Sequence, residues 1–254
     1  MTEFKDDIIP EENKDEAFEE IVGEVMEEVV EDLTWWQSIK YLFIQPSKTM
    51  KYLARKPKVL FPVLLMIISL TAFSFVKMDL LLEFTKQMMV LQMEKMGVPP
   101  LAEVPQDFLK FALWSAMGGT VATPLFLWFG KGAVIHLLAK IFKGTGQFKG
   151  ALSVVAYSYF ILLLGEAIRT IIALLTKNYF VLTSLALFLP ESDMGKPLFT
   201  LLGSLDVFSI WYLTVLTIGL SYTHKLEAKK SGIIVFGSWA MMIVISVLLT
   251  LVNR

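Results

Sequence analysis

Glu166 and Arg169 stand three residues apart inside one long apolar stretch, and Asp206 stands inside another. A spacing of i, i+3 puts Glu166 and Arg169 on the same side of a helix, within reach of each other. Ionisable groups at membrane depth are costly unless paired or hydrated. Two acids and one base can therefore form a compensated intramembrane cluster between helices. Three uses fit it: a salt bridge that fixes helix register, a proton or ion relay, or, for Asp206, a place near the interface, about two turns beyond Leu198.

Other chemistry-bearing residues are few. The absence of cysteine excludes disulfides and thiolate metal or redox sites. His136 and His224 are the only imidazoles, too few to suggest a metal centre, and no cofactor is expected. There is no phosphate-binding loop, Gly-rich dinucleotide turn, His-Glu metalloprotease helix or nucleophile elbow. Intramembrane CAAX-type proteases carry Glu-Glu-x-x-x-Arg; Gly165-Glu166-Ala167-Ile168-Arg169 departs from that in spacing and identity. A non-enzymatic protein is expected, with no nucleic-acid partner.

The elements that position these residues are membrane helices. The 254-residue chain is 55% hydrophobic, with mean hydropathy +0.61, too apolar for an ordinary soluble domain. A span needs roughly 20 apolar residues. Segments 59–76, 111–129, 151–175, 198–222 and 232–252 meet that need, predicting an all-α, polytopic protein of about five transmembrane helices. Within the second, Gly118-Gly119 and Pro124 permit close packing or a kink, and a bend is expected near Gly132, because a straight helix through 142 would exceed the bilayer. Leu80–Met96 reads as an amphipathic helix rich in methionine. Tyr179–Leu189 is too short to span and reads as a re-entrant or interfacial piece.

Charge gives the orientation. Segment 34–58 holds six basic residues and no acid, segment 131–150 holds four and none, and 223–231 is also basic. The alternate connections 77–110 and 176–197 are mixed. The bias switches at each crossing, so the N-terminus is expected in the cytoplasm and the C-terminus outside. No secretory signal is expected, since the N-terminus is acidic. Residues 1–33 hold fourteen acidic residues against Lys5 and Lys14, about −12, whereas the rest holds 21 basic and 10 acidic. In that acidic segment Ala17–Leu33 has helical apolar spacing. It suits either the chain's own basic loops or a cytoplasmic partner.

The segment after it, part of the membrane domain 34–254, enters the bilayer through an aromatic and basic ramp. Trp35 and Trp36 suit the interface, and Lys40, Lys48, Lys51, Arg55, Lys56 and Lys58 suit anionic lipid. Pro46 splits the ramp into two short interfacial helices, the second ending at Pro57.

Several weak motifs in order make the chain resemble the Yip1 family of small multispan membrane proteins. They are Pro46 with Thr49, the basic cluster with Pro57, and Pro62 in the first span. Phe148–Tyr157 at the third span and Leu205–Trp211 through Gly219 in the fourth complete the set. The resemblance covers roughly 34–252. It departs in lacking a proline midway in the third span, and the first 33 residues lie outside it. It implies a five-span helical bundle with a cytoplasmic N-terminus and no catalysis. Eukaryotic relatives organise vesicle traffic, and some bacterial ones are linked to ABC exporters and toxin resistance. The compact loops resemble the bacterial type, implying a bacterial plasma membrane. The leading expectation is an accessory or scaffold protein in the bilayer that binds another membrane protein, a transporter subunit or a second copy. A small permease using Glu166, Arg169 and Asp206, and a membrane-remodelling protein, are the alternatives.

Overall fold

The computed structural model describes residues 32–97 and 105–252. The expected acidic helix over 17–33 lies almost wholly outside them. Nine α-helices occupy the described residues: α1 Trp35–Ile44, α2 Pro46–Arg55, α3 Leu60–Val76, α4 Met78–Lys95, α5 Gln106–Ile141, α6 Phe148–Thr176, α7 Pro197–Gly203, α8 Val207–His224 and α9 Ala228–Val252.

Local chemistry sets the first elements. Thr34 and Gln37 form a capping box: the Gln37 N–H donates to Thr34 Oγ1 at 3.3 Å, and the Thr34 N–H donates to Gln37 Oε1 at 2.9 Å. Pro46 ends α1 and opens α2 from its first position, where a missing N–H costs nothing. The Thr49 hydroxyl donates to the Ser38 carbonyl at 2.9 Å and closes the α1–α2 hairpin. The second helix is more than an interfacial element. Its Met50, Tyr52 and Leu53 are buried, packed on α8. The approach depends on Gly219, where an added Cβ would lie 2.2 Å from Val154 Cγ1 and 2.8 Å from Met50 Sδ.

The centre of the bundle is α6, packed against α8, α5 and α3. Its buried Val154, Val155, Tyr157 and Ile161 join Leu213, Leu216 and Leu220 of α8 in one core. Chain direction follows from contacts. Lys58, just before α3, bonds Ser153 near the start of α6, and Lys77, at the end of α3, reaches Glu166. These two helices therefore run parallel. Trp128 of α5 donates to the Leu152 carbonyl at 3.0 Å, so α5 returns toward the start of α6. His224, closing α8, meets His136 near the end of α5. One end of the bundle thus gathers α1, α2 and the 142–147 and 225–227 connections. It is the basic end.

Three helices are individually long and apolar enough to cross a membrane: Gln106–Ile141, Phe148–Thr176 and Ala228–Val252. The pair α3–α4, bent by 71°, would make a fourth if counted as one broken span. This falls short of the five expected. One cause is the length of α3, 17 residues. The other is a break in the anticipated fourth span, which divides at Ser204–Asp206 into α7 and α8.

No break occurs near Gly132: α5 continues for 36 residues. Gly132 serves packing, since a Cβ there would lie 2.5 Å from Leu152 Cδ2. Gly118 and Gly119 have open space where a Cβ would stand and hold no neighbour close. Residues 179–189 form no α-helix and hold one 3-10 turn, Leu185–Phe188.

Candidate functional site

At the end of the bundle away from the basic loops, Glu166, Arg169 and Asp206 do meet. Arg169 Nε donates to Glu166 Oε2 at 3.1 Å, as their spacing requires. Arg169 Nη1 donates to Thr183 Oγ1 at 2.9 Å, and that hydroxyl donates onward to Asp206 Oδ2. The direct Arg169–Asp206 contact is 3.9 Å, so Thr183 carries the link. Asp206 is not inside a span. It is the N-cap of α8, its Oδ1 accepting from the Phe208 N–H at 3.0 Å and the Ser209 N–H at 3.1 Å. Aspartate is among the best capping residues because its carboxylate satisfies the free N–H groups of the first turn.

Sequence reasoning missed two members. Lys77 reads in sequence as part of a connection, yet its ammonium donates to Glu166 Oε1 at 2.6 Å and is almost wholly buried. Thr183 carried no signal, being one hydroxyl in an apolar run. With Lys77 included, the cluster holds two cations and two anions and is neutral. It ties the end of α3 to α6, and α6 to the start of α8. A neutral, mutually bonded set removes most of the cost of burying four charges.

A cavity of about 360 Å³ opens beside the pair, between α3, α5 and α6. Lys77 and Glu166 line it together with the hydroxyl-bearing Ser74, Thr120, Thr123, Tyr159 and Tyr179. Ser74 and Thr120 share a hydrogen bond of 2.8 Å, and Lys77 Nζ lies 5.3 Å from the centre of the Tyr179 ring. Pro124, also on the wall, has no N–H to offer the Thr120 carbonyl one turn earlier, which leaves that acceptor without its usual helical partner.

At the opposite end the ramp residues are spread out. Trp35 and Trp36 are 52% and 64% exposed, and Trp35 packs on Phe61. Lys48 sits over the Tyr41 ring at 4.4 Å, and Lys58 over Tyr52 at 4.9 Å. Lys40 and Arg55 are exposed. Lys56 bonds Asp32 at 2.5 Å in full solvent. That hydrogen bond holds the Asp32 carboxyl below its usual range and Lys56 above its own. The histidines, unremarkable in sequence, form a pair: His136 Nδ1 and His224 Nε2 share a hydrogen bond of 2.9 Å, and His224 Nδ1 lies 3.0 Å from Thr223 Oγ1. No group of three or more potential metal ligands occurs among the described residues.

Comparison with known proteins gives one match. The family model for the Yip1 domain matches residues 40–249. No curated protein and no solved structure matches.

Proposed function

The chain belongs to the Yip1 family, and on that premise we propose that it is a non-enzymatic accessory or scaffold protein that binds another membrane protein. The neutral cluster Lys77–Glu166–Arg169–Asp206 is the observation that supports this most. Its charged atoms are engaged with one another and join three helices, which is how a rigid support is built. An integral membrane protein of this kind offers partners its apolar flank. On α9, Met241, Val244, Leu248 and Val252 are all exposed.

The basic loops, gathered at one end, support five crossings with the N-terminus in the cytoplasm and the C-terminus outside, in a bacterial plasma membrane. The ramp residues Trp35, Trp36, Lys40, Lys48, Arg55, Lys56 and Lys58 would anchor that end to anionic lipid. A transporter subunit, an ABC exporter among them, or a second copy of the chain would be the partner. Affinity capture from native membranes in several mild detergents tests the proposal. Recovery of a second integral membrane protein in comparable amount, or of the bait as a defined multimer, supports it, and recovery of the bait only as single chains in every detergent counts against it.

A small permease is the second reading, favoured by the cavity beside Lys77 and Glu166. If neutralising Asp206 leaves every flux across reconstituted vesicles unchanged, that reading fails. Remodelling of membranes by the interfacial helices has less support, because α2 spends its apolar face on α8.

A further inference from the structure

The cavity between α3, α5 and α6 has a composition that register-fixing alone does not require. It presents one cation and one anion side by side, Lys77 and Glu166, each the other's partner at 2.6 Å. Around them stand Thr123, Tyr159 and Tyr179. Their hydroxyls can serve as donors, and the Tyr179 ring, stacked on Phe84, carries the Lys77 ammonium over it at 5.3 Å. The Thr120 carbonyl, lacking its helical partner because of Pro124, adds an acceptor on the same wall. At about 360 Å³ the space is far larger than the ~30 Å³ share of one water molecule.

A ligand entering here separates Lys77 from Glu166. Glu166 then keeps Arg169 at 3.1 Å, and Arg169 keeps Thr183 at 2.9 Å, so the remaining network holds. Lys77 has no second acidic partner among the described residues and must take an oxyanion from the ligand. A simple anion would leave the formerly neutral cluster with net negative charge. A ligand with both an oxyanion and an ammonium leaves it neutral.

We propose that this cavity binds a zwitterion, the oxyanion on Lys77 and the ammonium against Glu166. The chemistry is that of a phosphoethanolamine group, whether on a phospholipid or free in solution. Position favours the lipid. Lys77 ends α3, Glu166 lies about 15 Å from the end of α6, and Thr123 at the rim is exposed on the outer side of α5.

The test uses the full-length protein in phosphatidylglycerol vesicles that carry a trace of either photoreactive phosphatidylethanolamine or photoreactive phosphatidylglycerol. Cross-links are mapped by mass spectrometry. The expected result is labelling of the 70–77 and 119–124 segments by the ethanolamine lipid, at least about fivefold above the glycerol lipid. Labelling of the basic end should show no such preference.

Glu166→Gln removes the anion and leaves Lys77, so the preference in the cavity should invert. Tyr179→Phe removes one hydroxyl without a change of shape and should lower cavity labelling by about two- to tenfold. It serves if the Glu166 variant fails to fold. Suppression of labelling by free glycerophosphoethanolamine, a phosphodiester with the same neutral headgroup, would assign the site to a soluble zwitterion of the same chemistry, and its failure to compete would assign it to the lipid. Equal labelling by the two lipids in the cavity, or labelling confined to the basic end, overturns the proposal.

Discussion

Replacing Asp206 by alanine removes two kinds of interaction, and a second variant separates them. The carboxylate caps α8 through Oδ1, at 3.0 Å and 3.1 Å from two backbone N–H groups. Through Oδ2 it accepts from Thr183 and faces Arg169 at 3.9 Å. Loss of an aspartate cap costs about 1 kcal/mol. Loss of a hydrogen bond to a charged group costs about 1.5–3 kcal/mol. The upper part of that range does not apply, because Arg169 is 26% exposed and retains Glu166. Asp206→Ala should therefore destabilise by about 2–3 kcal/mol. Asp206→Asn keeps a good cap and an acceptor for Thr183 and loses only the charge, so about 1 kcal/mol is expected. Reversible unfolding in mixed micelles, followed by tryptophan fluorescence, measures both. Equal losses in the two variants would show that the cap contributes nothing. A loss below about 0.5 kcal/mol for Asp206→Ala would refute the cluster as a structural joint.

Three other predictions follow from the packing and the charges. Gly219→Val should destabilise by about 1–3 kcal/mol or displace α2, since the added side chain enters space held by Val154 and Met50; protection of the α2 amides from exchange reads the displacement. Gly146→Ala should be comparably harmful, because its Cβ would come 2.3 Å from the Thr223 carbonyl oxygen, a backbone atom that cannot turn away. The bond between His136 and His224 needs one unprotonated ring as acceptor. One protonation still leaves an acceptor, so the bond is lost only when both rings are charged, and stability should fall as the pH drops well below the ordinary histidine pKa of about 6.5. A pH titration of unfolding, compared with His136→Gln, checks this, and an unchanged pH profile in the variant would contradict it.

The sequence made much of this fold legible for plain reasons. Long apolar runs place α3, α6 and α9 within a few residues, and Pro46 and Pro57 bound α2 because proline cannot continue a helix. Glu166 and Arg169 were readable as a pair because i, i+3 contacts are local. The misses share a different origin. A hydropathy average runs over Ser204-Leu205-Asp206 as part of a span, whereas the N-capping preference of aspartate starts a new helix there. Lys77 looked like loop charge because its partner lies 89 residues away, and the histidines are 88 apart. The close packing of Gly132 depends on Leu152, which belongs to another helix, so no local signal marks it.

The central claim is that this Yip1-family protein acts by binding another membrane protein. Its most direct test is the composition of complexes extracted from native membranes into lipid particles, without detergent, and weighed by native mass spectrometry. A defined complex with a second integral membrane protein, or a stoichiometric assembly of the chain with itself, is the predicted result. A population made only of single chains with lipid would contradict it.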